Sequence, residues 1–197
     1  MLGVRRVTVV VGRRGAVVMC LLAVLVPAGC GSVGEVPAGP VGPFPVRPVA
    51  LDLSGVDLCA TLTAEQKAAR SIDRERAKVA QVGGKPSPGC LWRSESTGIS
   101  WTVQIVEASA VTAWVPGESR LVIVDGYGAV REPDAAHNAA GTDPFCQLPV
   151  DVNDTQTVRV QVAGSGDQRD GSDPAAVDNV CVLASDFAGE VLDNLRR

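Results

Sequence analysis

Four cysteines, Cys59, Cys90, Cys146 and Cys181, constrain this chain more than any other feature, because their chemistry depends on the compartment in which the chain folds. In a reducing compartment they are buried thiols or metal ligands; in an oxidising one they pair. None belongs to a Cys-x-x-Cys arrangement, so zinc ribbons and thioredoxin-like redox sites lack their usual spacing. Four thiols in an exported domain predict two structural disulfides, and sequence alone leaves three pairings open. Joining neighbours would close loops of roughly 30 to 35 residues, worth on the order of 3 to 4 kcal/mol each in loop entropy. Such staples matter here: with three Trp, three Phe and one Tyr in 197 residues, the core must be assembled from many small side chains.

The first 30 residues indicate the compartment. Arg5, Arg6, Arg13 and Arg14 precede an apolar run of 11 residues, Ala16 to Val26, followed by Pro27-Ala28-Gly29-Cys30. A membrane-spanning helix needs about 20 apolar residues, so the pattern is that of an export signal. Small residues before a cysteine at the end of such a run resemble the bacterial lipobox, which implies that the Cys30 thiol receives a diacylglycerol and becomes the new N-terminus. Ala28 and Gly29 match; Pro27 stands where Leu or Val is usual. Val26-Pro27-Ala28 also satisfies the small-x-small rule, so a secreted soluble protein cleaved after Ala28 is the alternative. The following stretch favours the anchor, because Pro37, Pro40, Pro43, Pro45 and Pro48 hold it in an extended form of about 3.1 Å per residue. The expected organisation is a signal over 1–29, a Pro/Gly-rich tether over 30–48 and one domain over 49–197. Cys20 leaves with the signal.

All 22 acidic residues follow position 30, and with the four signal arginines removed 14 basic groups remain, a formal net charge of −8. That balance repels phosphate backbones, and no basic stripe interleaved with aromatics appears, so no nucleic acid is expected as a partner.

Local patterns outline the domain. Thr63-Ala64-Glu65-Gln66 is a capping-box signature, so a helix starts there, with an end that the charged run Asp73 to Arg76 leaves undefined. Gly83-Gly84 and Pro86 to Gly89 read as turn. Cys90 to Arg93 and Ile99 to Val106 read as strands joined by a loop over Ser94 to Gly98; Ile99, Trp101, Val103 and Ile105 point to one face, which is the buried one. Leu121 to Val124 is a further strand, broken at Gly126-Tyr127-Gly128 before Ala129-Val130, and Arg131 to Pro144 is a long loop. Leu148 to Val152 and Thr157 to Val162 form a hairpin around Asn153-Asp154. After a flexible Gly164 to Gly171 segment, Ser172 or Asp173 caps a final helix with Pro174 in its first turn. Its stripe of Val177, Val180, Cys181, Ala184, Phe187, Ala188, Val191, Leu192 and Leu195 packs on the sheet.

Asp57-Leu58-Cys59-Ala60-Thr61-Leu62-Thr63, Cys90-Leu91-Trp92, the break around Gly126, Cys146 opening a hairpin and Cys181 within the last helix resemble, in order and spacing, an actinobacterial envelope lipoprotein family of unknown function, domain family 3558. The resemblance covers about residues 49 to 197. It implies an α+β fold, an antiparallel sheet packed against an N-terminal helix and a longer C-terminal helix, with Cys59 joined to Cys90 and Cys146 to Cys181. It implies no enzymatic activity.

The residues themselves point the same way. His137 is the only histidine and sits in a loop without periodicity; no Gly-x-Ser-x-Gly elbow accompanies it. Asp151-Val152-Asn153-Asp154 opens like a calcium loop, but Gln156 occupies the position that needs Gly and Val162 the one that needs Glu, so it reads as a turn. No catalytic residue, metal or cofactor is expected. Trp92 and Trp101 fall on inward strand faces and read as core; Trp114 is the best candidate for an exposed contact, with a partly buried edge position the stronger reading. The leading expectation is a lipid-anchored module on the outer face of the cell membrane, binding an envelope protein or a small ligand. An envelope hydrolase using paired carboxylates is the alternative, and it requires two carboxyl groups about 5 to 10 Å apart in one cleft.

Overall fold

A computed structural model describes residues 43–132, 138–139, 141–164 and 170–197. The export signal, Cys30 and His137 lie outside the described residues. The elements run in the order: a 3-10 turn Leu58–Thr61, α1 (Ala64–Ala69), β1 (Arg74–Val82), β2 (Lys85–Arg93), β3 (Ser100–Val106), a second 3-10 turn Ala110–Ala113, β4 (Arg120–Val124), β5 (Tyr127–Arg131), β6 (Phe145–Asp151), β7 (Thr157–Ala163) and α2 (Pro174–Leu195). The strands form one seven-stranded sheet, ordered β1-β2-β3-β7-β6-β5-β4, with antiparallel pairing throughout.

Strand alternation builds the core. Trp101, Val103 and Ile105 of β3, Val158, Val160 and Val162 of β7, and Cys146, Leu148 and Val150 of β6 share the inner face, and all are buried. Branched valines pack well on a pleated surface but leave it shallow, so the layer above must supply the bulk. Helix α2 does so. Asp173 caps it by accepting from the Ala175 N–H, Pro174 stands in the first turn, and Val180, Cys181, Ala184, Phe187, Ala188, Val191 and Leu192 form the buried stripe. Phe187 meets Trp92 edge-on with ring centroids 5.7 Å apart and lies 6.3 Å from Trp101. Trp92 donates its indole N–H to Glu75 at 2.7 Å, which satisfies the polar tip of a buried ring.

Two disulfides tie this cover to the sheet. Cys59 in the first 3-10 turn is bonded to Cys90 of β2, and Cys146 of β6 to Cys181 of α2, closing sequence separations of 31 and 35. Helix α1 has the expected capping box: Thr63 accepts from the Gln66 N–H while the Gln66 side chain accepts from the Thr63 N–H. It is, however, only six residues long and buries none of them. Burial at this end comes from Leu51, Leu53, Leu58 and Leu62 on the chain around it. Arg70, at the C-cap of α1, makes a two-pronged pair with Glu190 at 2.6 and 2.7 Å and lies 5.5 Å over the Phe187 ring.

Among the described residues the apolar cover of the outer face is at its β4–β5 end, where Phe44, Ala110 and Val130 form a second small cluster with Trp114 and Leu121 against it. Residues 43–48, the end of the segment expected as spacer, are thus packed on the body: Phe44 is 3% exposed, and a Cβ at Gly128 would stand 2.5 Å from its ring. Arg47 fastens this strap, donating from Nε and Nη2 to Asp151 at 2.7 and 2.8 Å and from Nη1 to Asp154 at 2.7 Å.

Several sequence readings change. Strand β1 was not expected: it is a sheet edge whose charged, mostly exposed residues carry little apolar signal. Pro86 to Gly89 belongs to β2. Pairing with β3 begins only at Gly89, so the two prolines remove no β2–β3 ladder bond, and Ser87 Oγ donates to the Ile105 carbonyl at 2.7 Å where they cannot. The break after β4 is confined to Asp125-Gly126, both at positive φ, with Tyr127 and Gly128 already in β5. Finally, β3 is buried on both faces, Thr102 and Gln104 included.

Two outcomes test this packing. Phe187→Ala removes the aromatic ring of α2 that meets both tryptophans, and should cost about 3 to 5 kcal/mol in urea denaturation. Tyr127 is the only tyrosine in the chain and is fully buried beside the Val49 backbone; burial pushes its hydroxyl above the ordinary value. Its folded pKa is raised because the neutral form is favoured inside. The associated stability is therefore complete below about pH 10, the unfolded value, and is lost as pH rises towards the folded one. Tyrosinate absorbance should appear only above pH 10 and together with unfolding; an ordinary titration in the folded protein would contradict the placement.

Candidate functional site

The same alternation that buries valine on one face sets polar side chains on the other. The register places Lys78 opposite Gly89, Gly89 opposite Gln104 and Gln104 opposite Arg159, a row running from β1 to β7. One step along, Thr102, Gln161 and Gln147 form a parallel row.

Gln104 is 1% exposed, and its Oε1 accepts both Nε and Nη2 of Arg159, at 3.1 and 2.5 Å. Gln161 donates to Gln147 Oε1 at 2.6 Å, and Gln147 in turn donates to Glu132. Glycine is required at 89, because a Cβ there would lie 2.5 Å from the Val103 carbonyl and 2.8 Å from Cγ of Gln104. Its missing side chain is the space in which Gln104 lies flat on the sheet.

Arg159 and Lys78 are both partly buried, and neither has an ion-pair partner among the described residues. Burial pushes the Arg159 guanidinium below its ordinary value, with the Glu132 charge acting in the opposite sense. Lys78 is also lowered, by burial first and then by the positive charges of Arg159 and Arg76. Like charges held together on a sheet face destabilise the fold unless something neutralises them.

Arg159 also lines a groove of about 300 Å³ between the outer face and the 3-10 turn Ala110–Ala113. Val106, Ala110, Ala113 and Pro149 supply apolar wall, and Thr157 and Gln147 lie in the polar floor. Most of that floor is committed: Thr157 Oγ1 donates to the Ala108 carbonyl at 2.6 Å, and Gln147 is held from both sides.

A second cleft, about 540 Å³ between β4 and α2, is lined by the carboxylates Asp125, Asp186, Glu190 and Asp193. There Arg196 bridges Asp125 and Asp193 and Arg70 grips Glu190, so three of the four are engaged by guanidinium groups. Among the described residues no cluster of three or more His, Cys, Asp or Glu is arranged to hold a metal, and no helix is long and apolar enough to cross a membrane.

Of the residues singled out in sequence, Cys59, Cys90, Cys146 and Cys181 lie in the two disulfides, while Cys30 and His137 fall outside the described residues. Trp92 and Trp101 are core, and Trp114 is half-buried against the second cluster. Asp151 to Asp154 does close a turn: Asn153 Oδ1 accepts from the Thr155 and Gln156 N–H groups, and both aspartates serve Arg47. Arg159 and Gln104 were missed. Their only sequence signal is alternation with valine or aromatic residues, which marks an outward face but not a groove.

No curated protein and no solved structure matches the chain. A family model does, that of Protein of unknown function (DUF3558), over residues 25–194, and the chain belongs to that family.

Proposed function

We propose that this protein is a lipid-anchored envelope lipoprotein, fixed by Cys30 to the extracytoplasmic face of the cell membrane, whose head is a non-catalytic binding module working through the outer face of its sheet. The observation that carries the binding half is the row Lys78, Gln104 and Arg159. Partly buried cations without a carboxylate partner, on the uncovered side of an otherwise acidic head, are poor packing and good recognition. The anchor half rests on the basic start, the 11-residue apolar run and the small residues before Cys30. Two disulfides tying the cover to the sheet favour an oxidising compartment. Because Phe44 and Arg47 are docked on the head, the free tether is shorter than its proline content suggests. It reaches at most roughly 50 Å from Cys30, which keeps the head close to the membrane surface.

Intact mass of the mature protein extracted from membranes tests the anchor. The expected product begins at Cys30, carries a diacylglycerol on that thiol, and has no free thiol at the other four positions. Cys30→Ala should move it to the soluble fraction. Recovery from the cytosol with the N-terminal arginines uncut and the cysteines reduced would overturn the anchor reading. The binding half is tested by cross-linking in intact envelopes: protection of Lys78 from amine-reactive reagents is expected, and identical labelling in envelopes and in the purified protein counts against it.

A further inference from the structure

Among the described residues Arg159 is the one cation in the lining of the groove, one edge of its guanidinium is open, and that chemistry selects the ligand. We propose that the groove beneath the Ala110–Ala113 turn holds a small monocarboxylate, its two oxygens on the free edge of the Arg159 guanidinium and its short apolar body against Val106, Ala110 and Pro149. This rests on the reading of the outer face as the working surface.

A guanidinium carries five N–H donors in a planar fork. Gln104 Oε1 takes Nε and Nη2, which fixes the plane of the group, and no other acceptor is bonded to Arg159 among the described residues. The remaining edge matches a planar anion with two oxygens. Thr157 and Gln147 are already satisfied, so a neutral polar ligand finds little to bond. Glu132 lines the same groove and penalises a second negative charge, which favours a carboxylate over a phosphate dianion. Lys78 adds positive potential from the side across Gly89 without lining the groove. The volume of about 300 Å³ is at the small end for ligand pockets, suited to a short-chain acid and too small for a long acyl chain.

The test is titration of the full-length protein in detergent with hexanoate, hexanol and inorganic phosphate, followed by NMR chemical-shift perturbation. Hexanoate should bind about tenfold or more tightly than either of the other two. Arg159→Gln should lose at least that factor, Arg159→Lys a smaller one because it keeps charge without the fork, and Arg93→Gln, away from the groove, nothing. Thermal midpoints of the variants near that of the parent show that they fold; if Arg159→Gln does not, Arg159→Lys decides. The inference is overturned by equal binding of hexanoate and hexanol, by preference for phosphate, by no binding, or by hexanoate binding that survives removal of the fork. If it fails while Lys78 is still protected in envelopes, the binding reading stands and only the ligand class falls. Clear hexanoate binding with Lys78 unprotected supports the carboxylate site and removes the envelope partner instead.

Discussion

The fold depends on one helix covering one face of a sheet whose exposed core is valine. A valine face is shallow and has little to grip, so the contact must be supplied from above. Phe187, the aromatic ring of α2, meets both Trp92 and Trp101, and Arg70 lies over that ring. The disulfides follow from the same weakness. Each joins a covering element to a strand, Cys59 to Cys90 near the β1–β2 edge and Cys146 to Cys181 near the centre. Neither staples strand to strand, because the ladder already does that; they hold the layer that small side chains hold poorly.

A single helix cannot cover both faces, and the outer face shows what that leaves. At the β4–β5 end the strap and the Ala110–Ala113 turn supply a small apolar lid. Across β1, β2, β3 and β7 polar side chains lie along the sheet and bond to one another, Gln104 to Arg159 and Gln161 to Gln147. Gln104 uses its carbonyl oxygen on Arg159, and one edge of the Arg159 guanidinium has no acceptor among the described residues. The boundary between the apolar lid and the polar field is where the groove lies, so its mixed walls are a consequence of where the cover stops.

What could be read in sequence was what local physics determines. The capping box at Thr63, the Asp173 cap, the stripe of α2 and the alternation of β7 each declare themselves within one element, and each is present. Strand β1 did not declare itself, because an edge strand protected by charge looks like a solvated stretch. Pro86 and Pro88 concealed the start of β2 because their tolerance depends on where β3 stops pairing, a fact of register. The adjacency of β3 and β7, which builds the site, joins segments some fifty residues apart and has no local signal at all. Gln104 read as solvent-facing for the same reason: its burial comes from Arg159 lying beside it and Gly89 leaving room beneath.

The strap connects these two halves of the molecule. Phe44 packs with Ala110, and Ala110 belongs to the turn that roofs the groove, while Arg47 is fastened to Asp151 and Asp154 at the β6–β7 turn. The strap is therefore part of what positions the roof. The strap is held by the buried Phe44 ring, by Pro45 and Pro48 lying close over Gly128 and Gly126, and by a guanidinium that grips buried Asp151 with two bonds and exposed Asp154 with one, of which the Asp154 bond contributes least.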